Sequence, residues 1–122
     1  TCWVDLIMAD EQTTIHEIKS LVDSFVDERD WQQFHSPKNL AMSISIEASE
    51  LMEIFQWLSL EQAKEVMKEG EQRQHAIEEI ADVLIYGIAF CIRNDIDVSD
   101  AIKDKMKKNI EKYPVEKYKG HF

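Results

Sequence analysis

Apolar residues recur along most of the chain at intervals of three and four, and no stretch alternates apolar with polar in the two-residue period of a strand. The first such run carries Ile15, Ile18, Leu21, Val22 and Phe25. Thr14, three residues before Glu17, fits a capping box that opens a helix there, and the run fades near Asp30. The segment DWQQFHS reads as a loop. Ser36 and Pro37 then supply a cap and a first-turn proline for a second helix reaching about Trp57. Ser59 with Gln62 caps a short third helix that closes at Gly70. A fourth runs from about Glu71 to Arg93, NDIDVSD makes a turn, and a lysine-rich fifth spans Ala101 to Lys112, stopping before Pro114. The pattern predicts an all-α fold, a four- to five-helix bundle. One helical domain over 13–114 lies between an N-terminal tail, 1–12, and a C-terminal tail, 115–122. Met8 is a candidate natural start within the first tail.

Two helices break the usual division into an apolar and a polar face. With about 100° per residue, Ile44, Leu51, Ile54, Phe55 and Leu58 fall within roughly 60° of Leu40, and Glu47 lies inside that stripe. Glu50, one turn on and about 60° round, brings a second carboxylate to the edge of the same face. The spacing repeats in EEIADVLIY, where Glu79 and Asp82 are again three apart. On that helix Ile77, Ile80, Ala81, Leu84, Ile88 and Cys91 define one face, while Glu79, Asp82 and Tyr86 share roughly the opposite one. Two antiparallel helices with facing pairs would gather four acidic groups in one pocket, where repulsion in a low dielectric calls for a counter-ion. Hard oxygen donors in that number suit Mg2+, with Mn2+ as a substitute. The competing explanation is that buried Lys or Arg neutralise them, or that packing leaves them exposed.

A chain of 122 residues is one domain, large enough for a modest core but short of burying an apolar-all-round helix comfortably. A homo-oligomer, dimer or tetramer, is therefore expected. Asp82 interrupts the apolar run from Ile80 to Ile92, which is in any case too short to span a bilayer. No segment has the build of a secretion signal, so the chain reads as cytoplasmic, with no membrane partner. Cys2 and Cys91 form no disulfide framework. A net charge of −10 argues against nucleic acid as a partner. It leaves open a phosphorylated small molecule bridged to the acidic pocket by metal.

The blocks ERDWQQFHSPKNL, EASELMEIFQW, EEIADVLIY and KMKKNIEKYP, in that order, resemble the MazG-like all-α nucleoside triphosphate pyrophosphohydrolases, most closely the dCTP pyrophosphatase branch. The likeness extends over roughly Thr14 to Pro114. It implies hydrolysis of a nucleoside triphosphate, dCTP or a related pyrimidine deoxynucleotide, to monophosphate and pyrophosphate. It also implies Mg2+ held by Glu47, Glu50, Glu79 and Asp82, the carboxylates already marked by periodicity. Many MazG relatives carry a further glutamate just before the first ligand, where this chain has Ile46. That departure bears on the breadth of substrates rather than on the metal site.

Metal-assisted phosphoryl chemistry needs charge on the triphosphate neutralised and a water activated for attack. Glu50 is the first candidate for general base and Glu53 the second, although Glu53 is about 120° round from Glu47 and reads equally as a solvated glutamate. For phosphate contacts the resemblance points to Lys105, Lys108 and Asn109, to Lys105 and Asn109 above all, with Lys38 and Arg93 as alternatives. Base recognition needs a π-face and edge polar groups; Trp31, Phe34, His35, Trp57 and Tyr86 are the candidates, Trp57 and Phe34 also fitting core positions, and the resemblance favours Trp31, His35 and Tyr86. His16 and His75 carry no functional signal. A carboxylate-bridged di-iron bundle takes two Glu-x-x-His motifs, and Thr13, Gln32, Gln72 and Tyr118 stand three residues before the four histidines instead. The remaining alternative is a non-catalytic acidic helical interaction protein.

Overall fold

In the computed structural model of the protein the described residues are 10–121, and among them every regular element is helical. Residues 1–9, with Cys2 and Met8, lie outside them, as does Phe122. The helices are α1 (Ile15–Glu28), α2 (Pro37–Phe55), α3 (Leu60–Val66), α4 (Glu71–Arg93), α5 (Val98–Lys112) and α6 (Val115–Tyr118), with a 3-10 turn over Gln32–Phe34. Short α6 lies in the segment expected to be a tail.

Local side-chain chemistry sets most of these boundaries. The Thr14 hydroxyl accepts from the Glu17 amide at 3.1 Å while Glu17 Oε1 accepts from the Thr14 amide at 3.2 Å, so the expected capping box forms. Ser36 caps α2 ahead of Pro37, and Ser59 and Gln62 form the reciprocal box of α3. The fifth helix starts earlier than its apolar pattern suggests because Asp97 Oδ1 accepts from the Asp100 amide at 2.8 Å, which draws Val98 to Asp100 into α5. At the other ends, α1 and α4 stop on an aspartate in the left-handed region, Asp30 and Asp95, each with φ 53°. In both, the next amide reaches back five residues, Trp31 to the Val26 carbonyl at 3.0 Å and Ile96 to the Cys91 carbonyl at 2.9 Å. Lys19 Nζ then donates to the Ile96 carbonyl at 2.8 Å and ties α1 to the turn beyond α4.

Packing centres on α4, which pairs chiefly with α2 and also with α1. Leu40 from the start of α2 meets Ala89 near the end of α4, so the two helices run antiparallel; Val22 and Val26 of α1 complete this cluster. Tyr86, Ile88, Phe90 and Ile92 pack against it. Alanine at the buried positions 76 and 89 lets the facing helices approach closely.

The α4 face turned toward α2 is the one that carries Glu79, Asp82 and Tyr86. The face read from the sequence as the apolar one, with Ile77, Ile80 and Leu84, is solvent-facing in the single chain, Leu84 being 61% exposed. Met42, Ile46 and Met52 on α2 and Ile102, Met106 and Ile110 on α5 are likewise exposed. Core apolar area is therefore scarce, and Leu40, 1% exposed, contributes an unusual share of it. A Leu40→Ala variant is expected to lose about 2–5 kcal/mol in urea denaturation followed by circular dichroism.

Candidate metal centre

Antiparallel packing places the end of α2 against the beginning of α4. Glu47 and Glu50 reach across to Glu79, and one carboxylate oxygen from each lies within 4.8 Å of the others. Among the described residues none of the three pairs with Lys or Arg; the one basic side chain beside Glu79 is His75, whose Nε2 is 3.2 Å from its Oε1. Neutralisation by buried basic side chains, the competing explanation, is not what the packing realises. Nor are the acids simply exposed. Oε2 of Glu47 and Oε2 of Glu79 are both buried without a hydrogen-bond partner.

The cost of that arrangement appears in proton affinity. Burial pushes the Glu47 carboxyl up to about 7, helped by a hydrogen bond with Glu50 and by the charges of Glu50, Asp82 and Glu79. Glu79 is raised by burial and by Glu50, with His75 pulling the other way. The Tyr86 phenol is raised by burial and then by Glu47, Asp82 and Glu50. Asp82 thus stands close enough to act on both Glu47 and Tyr86, although the tight group comprises Glu47, Glu50 and Glu79. Buried, unpaired carboxylate oxygens converging on one point are the donor set a hard divalent cation takes, and they fit one here.

Beside the acidic group opens a cleft of about 470 Å³, lined by Glu50, Glu53, Ile54, Gln72, His75 and Glu79. Glu53 faces this space from an exposed position. His75 and Gln72 are wall residues that sequence reasoning passed over. The spacing of His75 to Glu79, i to i+4 on the acidic face of one helix, was the available signal.

The other candidates are dispersed. Tyr86 is half-buried beside the carboxylates. His35 lines a small cavity together with Val22, Asp23, Val26, Ala89, Ile92 and Arg93. Its imidazole is held below the ordinary histidine range by burial and then by Arg93, and its Nδ1 is buried without a partner. At 1.5 Å per residue, Ala89 is about 21 Å along α4 from His75, so His35 lies toward the opposite end of that helix from the cleft. Trp31 stacks edge-on against Phe25 at 5.6 Å, with the Arg29 guanidinium 3.8 Å over the Phe25 ring. Trp57, 86% exposed, projects one turn beyond Ile54 and is not a core residue of the single chain. Lys105 and Asn109 ride on α5, outside the α2–α4 and α1–α4 pairings, and neither lines the cleft; the Asn109 amide meets Met106 Sδ at 3.9 Å. One chain therefore assembles the carboxylates, Tyr86 and the cleft, and leaves the loop aromatics and the α5 groups apart from them.

Comparison with known proteins agrees with this architecture. The dCTP pyrophosphatase 1 proteins of Rattus norvegicus and Mus musculus are each 38% identical to this chain over 109 residues. The alignment covers 89% of this chain and 64% of either relative, so the chain spans less than two thirds of their length. The crystal structure of a pyrophosphatase from Archaeoglobus fulgidus superposes with a TM-score of 0.78 at 42% identity, covering 88% of this chain and 98% of that one. Residues 42–121, which include both acidic pairs, match the profile of the MazG-like family. With that match over most of its length and an all-helical fold to go with it, the chain belongs to the MazG-like family.

Proposed function

We propose that this chain carries a Mg2+-dependent nucleoside triphosphate pyrophosphohydrolase activity that hydrolyses dCTP or a related pyrimidine deoxynucleotide to monophosphate and pyrophosphate. The observation that carries the reading is the group of three carboxylates within 4.8 Å, two of them with buried, unpartnered oxygens and none with a basic counter-charge. The names of the relatives, dCTP pyrophosphatase 1 and a pyrophosphatase, support the reaction class, and the former also supports the base. No helix among the described residues is long and apolar enough to cross a membrane.

In this reading Glu47, Glu50, Glu79 and Asp82 hold Mg2+, or Mn2+ in its place. The bound cation supplies neutralisation of charge on the triphosphate. Glu50 borders both the acidic group and the cleft and is the first choice to take a proton from the attacking water; Glu53, further along the same wall, is the second. Tyr86 offers an aromatic face next to the carboxylates for the pyrimidine. Trp31, His35 and Trp57 complete base recognition, and Lys105 and Asn109 hold phosphate oxygens, in an assembly of subunits that brings them to the cleft. A homo-oligomer also covers the stripe of Ile77, Ile80 and Leu84 left open in the single chain.

Three outcomes test this. Incubation with each deoxynucleoside triphosphate and Mg2+, followed by anion-exchange chromatography, should yield monophosphate and pyrophosphate from a pyrimidine nucleotide. Asp82→Asn or Glu50→Gln should lower turnover by at least about a hundredfold. Absence of turnover with Mg2+ or Mn2+ would leave the acidic helical interaction protein in front. Second, the folded protein binds more protons at Glu47 than the unfolded chain between pH 4.5 and about 7. That contribution to stability is present below the unfolded value and is lost as pH rises through the folded one. Thermal denaturation of metal-free protein should show this decline, and Mg2+ should reverse it above pH 7, by about 2.7 kcal/mol at a hundredfold excess over Kd. Third, sedimentation velocity should find a dimer or tetramer that Leu84→Glu converts to smaller species with helicity retained.

A further inference from the structure

Glu79 is divided between two environments. Its Oε1 lies 3.2 Å from His75 Nε2, one turn earlier on α4, while its Oε2 is buried and without a partner. The Glu79 side chain is 13% exposed and that of His75 is 54% exposed, so the imidazole stands at the mouth of the cleft and the carboxylate beneath it. An ionised carboxylate only accepts, which makes the imidazole nitrogen the donor of this bond.

The contact has a mechanical consequence. Glu79 shares its space with Glu47 and Glu50, two like charges, and a glutamate side chain has rotamers that would carry it outward, away from them. Such a swing relieves repulsion and regains side-chain entropy, so the Glu79 carboxylate needs restraint beyond its contact with Glu50. A donor fixed one helical turn away, at the spacing where side chains on one face meet, resists that swing by holding the outer oxygen. The inner oxygen is then left for a cation.

We infer that His75 is a positioning residue: by binding Oε1 of Glu79 it keeps Oε2 of that glutamate turned inward as a preorganised ligand for the divalent cation. The inference rests on the metal-dependent reading above, and it concerns how the centre is built rather than which nucleotide it serves. Carboxylates that ligate metals are commonly fixed by a hydrogen bond to their other oxygen, and loss of such a partner typically weakens metal binding by 10–100-fold.

The test uses Mn2+ alone as probe, titrated into the nucleotide-free full chain and followed by the electron paramagnetic resonance signal of free Mn2+. His75→Ala should raise the Kd about tenfold or more, while His75→Gln, whose amide can donate across the same turn, should stay within about threefold of wild type. The thermal midpoint of the metal-free protein, which reports a merely structural role, should be the same in all three. Wild-type affinity in His75→Ala would overturn the inference and leave the metal reading intact. So would an unchanged Kd in both variants with a raised KM for nucleotide, which would make His75 a substrate contact instead. Failure of wild type itself to bind Mn2+ would overturn the metal reading and this inference together.

Discussion

Everything distinctive in this molecule follows from one packing decision, the antiparallel contact of α2 with α4 through faces that both carry acid. Helix interfaces normally gather apolar side chains because desolvating charge is costly. Here the contact is closed at one end by Leu40, Ala89 and the two valines of α1, a conventional core. Toward the other end the same two helices press Glu47, Glu50 and Glu79 together, with Asp82 close by. The apolar end provides the stability that the acidic end spends. The raised proton affinity of Glu47 and two buried oxygens without partners show that the acidic end is unfavourable on its own.

The same decision explains why so much apolar surface remains open. By turning Glu79, Asp82 and Tyr86 inward, α4 turns Ile77, Ile80 and Leu84 outward, and α5 adds its own exposed row. A helix committed to a charged site on one side can bury an apolar stripe on the other only against something else. Site and surface are thus two aspects of one orientation of α4, and among the described residues no further layer covers the outward stripe.

Much of the fold was legible because helix ends are local events. Thr14 with Glu17, Ser36 with Pro37, and Ser59 with Gln62 are short-range chemistries that do not depend on the rest of the chain. The start of α5 was misplaced because its apolar periodicity begins after its cap, and Asp97 rather than an apolar residue sets the boundary. The acidic site was legible for a different reason. A glutamate inside an apolar stripe contradicts the helix that bears it, and the contradiction shows in the spacing alone. What spacing could not convey is rank within the group: Glu47, Glu50 and Glu79 converge tightly and Asp82 acts from slightly further out, while His75, marked only by its i to i+4 spacing to Glu79, becomes part of the wall.

The sequence by itself determined the class of fold, the helix boundaries set by caps, and which carboxylates fall on otherwise apolar or inward faces, since each depends on residues within a turn or two of one another. Tertiary structure alone decided which of the two faces of α4 is inside and which acids share one point. It alone held His35 and Trp31 apart from the cleft within one chain. Those outcomes depend on the rotation and register of α2 against α4, which emerge from the summed packing of distant side chains and are written at no single position.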